Sequence, residues 1–347
     1  MAGPTATGTR TWLDPTWQAE ALGWAEQVLS GLDRRVDGPI EQPHVRPWST
    51  AFRIPTDRGT AWLKACGPGP AYEGPLLDVF SARGVRRVPL PLAVHPDRPW
   101  LLLDDAGPTL RQMRPDGTGD HDLGAWERIL AEYAELQRSL ESDDAVAAML
   151  AAGTPDGRPA ALPGELARLL DDDAWWERLT SEERDEGAVA RRTLRAQLTV
   201  VTGLADEVAA AGIAASVQHD DLHGGNVLVG PDGDRFFDWG DAVVAHPFGT
   251  LTVTFNSIAH KLELPPYDSV FTRLEAVYLA VWNGVAPPAD LERVARIARV
   301  LGCIGRALAW ERSLIGLKDD EMDGFGDGVA GWLVEFASRL GRFTATR

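Results

Sequence analysis

Cysteine is nearly absent: Cys66 and Cys303 are the only two in 347 residues. That pair cannot build a disulfide framework, and the usage fits a reducing cytoplasm. Positive charge is in deficit as well. A formal net charge of −17 argues against nucleic acid as a partner, because binding phosphate needs a basic surface. The acidity serves solubility, and it permits attraction of a cationic small molecule. No run approaches the roughly 20 apolar residues of a membrane span, so no membrane partner is expected. The opening stretch MAGPTATGTRTW lacks the basic and apolar regions of a secretory signal. Residues 1–12 are expected to be a frayed tail. Lysine is scarce, occurring only at positions 64, 261 and 318. There is no G-x-G-x-x-G loop to cradle phosphates, and no internal repeat.

What is present is concentrated in residues 218–239, QHDDLHGGNVLVGPDGDRFFDW. Val227-Leu228-Val229 reads as a short buried strand, and Pro231-Asp232-Gly233-Asp234 as a tight turn with the Asp-Gly hairpin signal. Arg235-Phe236-Phe237 starts a second strand that ends at Asp238. Such a hairpin brings Asn226 close to Asp238, with Asp221 just ahead in a loop loosened by Gly224 and Gly225. Two oxygen ligands and one further carboxylate then share an edge. Oxygen donors of this kind suit Mg²⁺, which prefers few carboxylates together with substrate phosphates and water. A second reading makes His219, Asp221 and His223 ligands of zinc or iron. Against it, Asn226 and Asp238 are hard-ion ligands and no cysteine joins them. A third makes both histidines structural braces of the loop.

The interval from Asp221 to Asn226 matches the kinase catalytic loop, in which the Asp accepts the hydroxyl proton and the Asn holds a metal ion. On these residues the chain resembles the aminoglycoside phosphotransferase and choline kinase superfamily, whose loop reads H-G-D-x-H-x-x-N. His219 and His223 fill the two histidine places, Asp220 replaces the usual glycine, and Asp238 stands as the metal Asp in a D-W context. The resemblance spans residues 40–312. It implies an α+β, bilobal, protein-kinase-like fold with a small β-rich N-terminal lobe over residues 13–104. A larger, mainly α lobe over residues 105–347 would carry catalysis and the acceptor.

A small lobe of this type needs a lysine for the nucleotide phosphates and an acidic partner on the next helix. Phe52-Arg53-Ile54 and Thr60-Ala61-Trp62-Leu63 read as strands around a turn at Asp57-Arg58-Gly59, with Lys64 following. Tyr72-Glu73 opens an amphipathic run, which makes Glu73 the expected partner of Lys64. An exposed glutamate favoured by the helix dipole is the plainer reading. Trp100-Leu101-Leu102-Leu103 continues the sheet, and Asp104-Asp105-Ala106-Gly107 breaks it. In the resembled family that break is the hinge, so backbone groups from Asp104 to Ala106 would bind a purine. Ser49 and Thr50 stand where a loop would cover phosphates.

Helical periodicity runs over residues 15–32, 123–140, 181–211, 251–262, 269–282, 288–311 and 328–343. The resemblance assigns the acceptor to the C-terminal helices and the loop after Asp238. Candidates there are Asp220, Asp241, Asn256, His260, Trp310, Glu311 and the acidic run 319–323. Thr250 stands where an Asp often anchors the catalytic loop, which leaves His246 as a possible anchor. The implied activity is Mg²⁺-dependent transfer of the γ-phosphate of ATP or GTP to a hydroxyl of a small molecule such as an aminoglycoside, amino-sugar or amino alcohol. A nucleotide-binding pseudokinase is the alternative. It has no need of the intact Asp221 and Asn226.

Overall fold

A computed structural model of the chain describes residues 8–265 and 268–345. Five strands form an antiparallel sheet in the order β1-β2-β3-β5-β4: β1 (Glu41–Arg46), β2 (Ser49–Thr56), β3 (Gly59–Cys66), β4 (Ala93–Val94) and β5 (Trp100–Asp104). Side chains alternate across a strand, and β3 shows what that achieves. Ala61, Leu63 and Ala65 are buried on one face, while Trp62 and Lys64 point to the other. The first face packs on a helix that begins, as its Pro-led pattern requires, at Pro15. Asp14 caps this helix by accepting from the N–H groups of Thr16 and Trp17.

The part of the expected tail that the structure describes is ordered. A helical turn, α1 (Thr9–Trp12), precedes α2 (Pro15–Gly31), and Trp12 is fully buried, its Nε1 donating to the Arg46 carbonyl at 2.7 Å. Its indole edge packs on Trp17. An aromatic ring of this size contributes enough buried area to pin a short segment that propensity alone would leave loose. Residues 1–7 lie outside the described residues.

On the opposite face of the sheet lies α3 (Glu73–Ala82), whose Leu76, Leu77 and Phe80 join the main core of the chain. The remaining helices are α4 (Leu123–Ser139), α5 (Asp143–Ala151), α6 (Leu162–Asp171), α7 (Asp173–Glu177), α8 (Arg184–Ala196), α9 (Leu198–Ala209), α10 (Leu251–Leu262), α11 (Ser269–Leu279), α12 (Pro288–Ser313) and α13 (Gly328–Ala345). The single helix expected over residues 181–211 is broken at Gln197. The break lets α8 face α13 while α9 faces α12 and α6. Between the helices run β6 (Asp156–Gly157), β7 (Ser216–Gln218) and β10 (Val243–Ala245), with β10 antiparallel to β7 and parallel to β6. The expected hairpin forms as β8 (Val227–Leu228) and β9 (Arg235–Phe236), with Val227 opposite Phe236. Among the described residues no helix is long and apolar enough to cross a membrane.

The segment after β5 ties the sheet to this hairpin. Leu110 donates to the Val227 carbonyl at 2.7 Å, and Val229 donates to Pro108 at 3.0 Å. The sheet and the β8–β9 hairpin therefore meet along a hydrogen-bonded seam.

Candidate active site

Lys64 leaves β3 on the face opposite Leu63 and so reaches the first turn of α3. Its Nζ lies 2.8 Å from Oε1 and 2.6 Å from Oε2 of Glu73. The same Nζ lies 2.5 Å from Oδ1 of Asp238. Burial pulls the Lys64 pKa down, but the Asp238 and Glu73 carboxylates outweigh it and hold the ammonium well above its ordinary value. Burial also pushes Asp238 up, and Lys64 overrides it, leaving that carboxyl at about 2. Glu73 is itself raised by burial, against the pull of Lys64. The exposed-glutamate reading fails, since Glu73 is 3% exposed.

Two further bonds couple α3 to the turn that carries Asp238, and a third contact ties α3 to β3. Trp239 N–H donates to Glu73 Oε1 at 3.0 Å, Tyr72 Oη donates to the Gly240 carbonyl at 2.6 Å, and the Cys66 thiol faces Glu73 Oε2 at 3.5 Å. Asp238 itself sits in the left-handed region, φ 64° and ψ 64°. A non-glycine residue there is strained, and these bonds hold the turn that imposes it.

The loop ahead of the hairpin is fixed from several sides. Tyr133 of α4 accepts the His219 N–H at 2.8 Å, and Thr254 of α10 donates to the Leu222 carbonyl at 3.0 Å. Within the loop, Asn226 Nδ2 donates to the Asp221 carbonyl at 3.0 Å and lies 3.3 Å from Asp221 Oδ2. That orientation commits the amide nitrogen and leaves Oδ1 as a hard oxygen donor. Gly224 is required by a close approach: a Cβ there would lie 2.2 Å from the Cβ of Asp120.

Both histidines brace this loop. His219 Nε2 lies 2.8 Å from the Phe237 carbonyl, which makes it the protonated nitrogen, and burial keeps the ring neutral by lowering its pKa. His223 Nδ1 accepts from the Gly225 N–H at 3.0 Å, and burial with nearby Arg111 lowers that ring to about 4. Among the described residues no three His, Cys, Asp or Glu side chains are grouped to hold a metal ion. The zinc or iron reading therefore loses its ligand set, because the His219 ring is turned toward Phe237.

Lys64, Asp238 and Asp221 open into one cavity of about 300 Å³, roofed by Trp48, Trp310 and Phe325. Burial raises Asp221 to about 7, against the pull of Arg306. The β1–β2 connection is a tight turn at Pro47-Trp48, not a long covering loop. Trp48 meets Trp310 edge-on at 5.5 Å and Phe325 at 5.0 Å. Ser49 lines this cavity with its hydroxyl 3.2 Å from His44 Nε2.

Several expected contacts are displaced. Thr50 is fully buried, donating to the His44 carbonyl and accepting from Gln42, so its hydroxyl is closed to phosphate. The Ala106 carbonyl accepts from Arg235 at 2.7 Å, which removes that carbonyl from a purine, while the Asp104 carboxylate, which the expected backbone contact does not use, pairs with Arg34 at 2.7 Å. Asp220 is 1% exposed and bonded to Gln218 Nε2 at 2.7 Å, so it cannot reach an acceptor. Glu311 is turned away into a bidentate pair with Arg168. Asn256 binds Arg339, and Asp319 and Asp320 bind Arg178 and Arg10 at the surface. Of the acceptor candidates, Asp241 and Trp310 line the cavity. His246 caps the Phe248 N–H and does not hold the catalytic loop.

Sequence reasoning missed Arg306, which reaches Asp220, Asp221 and Asp241 from α12. One signal was available: a lone charge inside the apolar run Ile304-Gly305-Arg306-Ala307-Leu308. Charged residues are rarely buried without a partner.

Solved structures resemble this arrangement across nearly the whole chain. A choline kinase from Cryptosporidium parvum Iowa II superposes with a TM-score of 0.59 at 11% identity, covering 95% of this chain and 97% of its own. A choline/ethanolamine kinase family protein from Mesorhizobium loti gives 0.54 at 18% identity, covering 94% and 98%. A macrolide 2′-phosphotransferase from Brachybacterium faecium gives 0.53 at 18% identity, covering 88% and 97%. At such identities the likeness establishes the fold, which is protein-kinase-like. No curated protein matches by sequence. The phosphotransferase enzyme family, however, matches residues 48–288, a span that begins at the Trp48 turn and contains Lys64, Glu73, Asp221, Asn226 and Asp238. With that match over most of its length, and with the kinase-like site inside it, the chain belongs to the phosphotransferase enzyme family, a family of small-molecule kinases.

Proposed function

We propose that this protein transfers the γ-phosphoryl group of ATP or GTP, with Mg²⁺, to a hydroxyl of a small molecule. The observation that carries the reading is the convergence of Lys64, Asp238 and Asp221 on one cavity of about 300 Å³. Phosphoryl transfer asks for positioning and charge neutralisation more than for covalent chemistry. The Lys64 ammonium, backed by Glu73, is the group that meets the nucleotide phosphates, exchanging its contact with Asp238 for them. Asp221 orients the acceptor hydroxyl and takes its proton.

The residues fit a hard divalent ion. Asn226 Oδ1 is left available by the commitment of Nδ2 to Asp221, and Asp238 is kept ionised by Lys64 while its carboxylate opens onto the cavity. Two oxygen donors of this type are what Mg²⁺ takes from a protein when phosphates and water complete its shell. When bound there, the ion would neutralise charge on the phosphates.

The purine lies against the end of β5 at Asp104. The acceptor lies under Trp48, Trp310 and Phe325. Solved relatives named as choline kinase and macrolide phosphotransferase support an amino alcohol, amino-sugar or antibiotic acceptor bearing a free hydroxyl. The protein acts in the cytoplasm, in keeping with its two free, buried thiols.

The test is Asp221→Ala, assayed for phosphoryl transfer against a panel of choline, ethanolamine, aminoglycosides and macrolides. Turnover should fall by roughly 10²–10⁴-fold, with the Mg·ATP dissociation constant unchanged by calorimetry. A variant that turns over like the parent would remove Asp221 from this role.

A further inference from the structure

Arg306 is 7% exposed, in the middle of α12. Its guanidinium has three partners, and all of them belong to the site. Nη1 donates to the Asp220 carbonyl at 2.9 Å and to Asp241 Oδ2 at 2.8 Å. Nη2 lies 3.4 Å from Asp221 Oδ1. Behind it, the Trp332 ring of α13 lies 6.0 Å from Cζ. Bringing an arginine out of water costs several kcal/mol unless its bonds are made. Here Nη1 bonds the residue before the base and the turn after Asp238, Nη2 pairs with the base itself, and Nε has no protein partner.

A guanidinium is a rigid planar fork that fixes the relative placement of the groups it binds. The two segments it joins are the loop of residues 219–226 and the turn of residues 238–241. Neither contains a helix longer than the single turn Trp239–Asp241, so their mutual geometry needs an outside support. Arg306 supplies it from the longest helix described. Asp241 is thereby committed to Arg306.

We propose that Arg306 is the positioning residue for Asp221, holding the carboxylate of the base in register with the Asp238 turn. This rests on the phosphotransfer reading for its kinetic consequence, but not for its structural one. Arg306 bears on the placement of Asp221 and leaves the Lys64–Glu73 half of the cleft untouched. Its loss should therefore slow turnover without weakening nucleotide binding.

The experiment compares the full chain with Arg306→Gln and Arg306→Lys by two readouts. The first is amide hydrogen exchange of residues 219–226. The second is ADP release from Mg·ATP with choline, ethanolamine, an aminoglycoside and a macrolide as acceptors. In the Gln variant kcat should fall roughly 100-fold, as expected for a small misplacement of a reacting group, while KM for Mg·ATP stays within about twofold. Exchange in residues 219–226 should rise about tenfold, the α4 interior remaining protected. The Lys variant, which keeps the charge but not the fork, should fall between. If the Gln variant does not fold, the Lys variant carries the same comparison. Unchanged kcat with unchanged loop exchange overturns the proposal, as does a rise in KM that matches the fall in kcat. If the parent releases neither ADP from Mg·ATP nor GDP from Mg·GTP with any acceptor, the phosphotransfer reading is what fails. Loop exchange then decides the case of Arg306, faster exchange supporting it and unchanged exchange overturning it.

Discussion

Asp220→Asn should make the protein more stable at neutral pH. Asp220 is buried, with Oδ1 accepting from Gln218 Nε2 at 2.7 Å and Oδ2 without a protein partner. Burial raises its carboxyl from 3.8 to about 6, and Arg306 and Arg312 only partly oppose that rise. At about 1.36 kcal/mol per pH unit, ionising it in the folded chain costs about 3 kcal/mol more than in the unfolded chain. The sign follows from the direction of the rise. Below about pH 4 both states are protonated and the cost is absent. It grows between about pH 4 and pH 6 and is complete above that. Asn keeps the acceptor for Gln218, carries no charge, and tolerates the left-handed backbone that Asp220 adopts at φ 62°. For a chain of this size about 3 kcal/mol corresponds to roughly 4 °C in Tm. Melting curves of parent and variant, taken across pH 4.5 to 8, should diverge as pH rises, the variant melting higher at the alkaline end. A Tm difference that does not change with pH, or a variant that melts lower at pH 8, would refute the reasoning.

Two further substitutions probe other parts of the site. Lys64→Met leaves Glu73 and Asp238 without their cation. Melting should show a loss of about 3–5 kcal/mol, and calorimetry should show Mg·ATP binding weakened at least about tenfold. Gly224→Ala places a Cβ against Asp120, 2.2 Å from its Cβ. This overpacking should cost about 1–3 kcal/mol and lower turnover by shifting the loop that carries Asp221, both measurable on the purified variant.

Local sequence determined the elements that carry the chemistry. The Asp-Gly turn between two short apolar runs was enough for the β8–β9 hairpin, because register in a hairpin follows from the turn. Alternation along β3 placed Lys64 opposite Leu63, and the helix beginning at Glu73 then put a carboxylate within its reach. Those are short-range rules, and together with the family resemblance they singled out Lys64, Glu73, Asn226 and Asp238. The acceptor side was less legible. Asp220 and Glu311 have the right chemistry in the right segments, yet one is buried under Gln218 and the other is turned toward Arg168. Which way a helical side chain faces depends on what packs against it, and no local pattern records that.

Long-range packing decided the rest. Trp12 anchors a segment that reads as tail because Arg46, far along the chain, offers it a carbonyl. Trp48 closes a turn that reads as a phosphate loop because Trp310 and Phe325 stand opposite. Arg306 reaches Asp221, 85 positions earlier in sequence, only because α12 runs behind the loop that carries it. The sequence by itself determined which groups are candidates for moving a phosphoryl group, since their chemistry and spacing are local. The tertiary structure alone decided how those groups are held and which of them the acceptor can meet, because burial and ion pairing are set by distant neighbours.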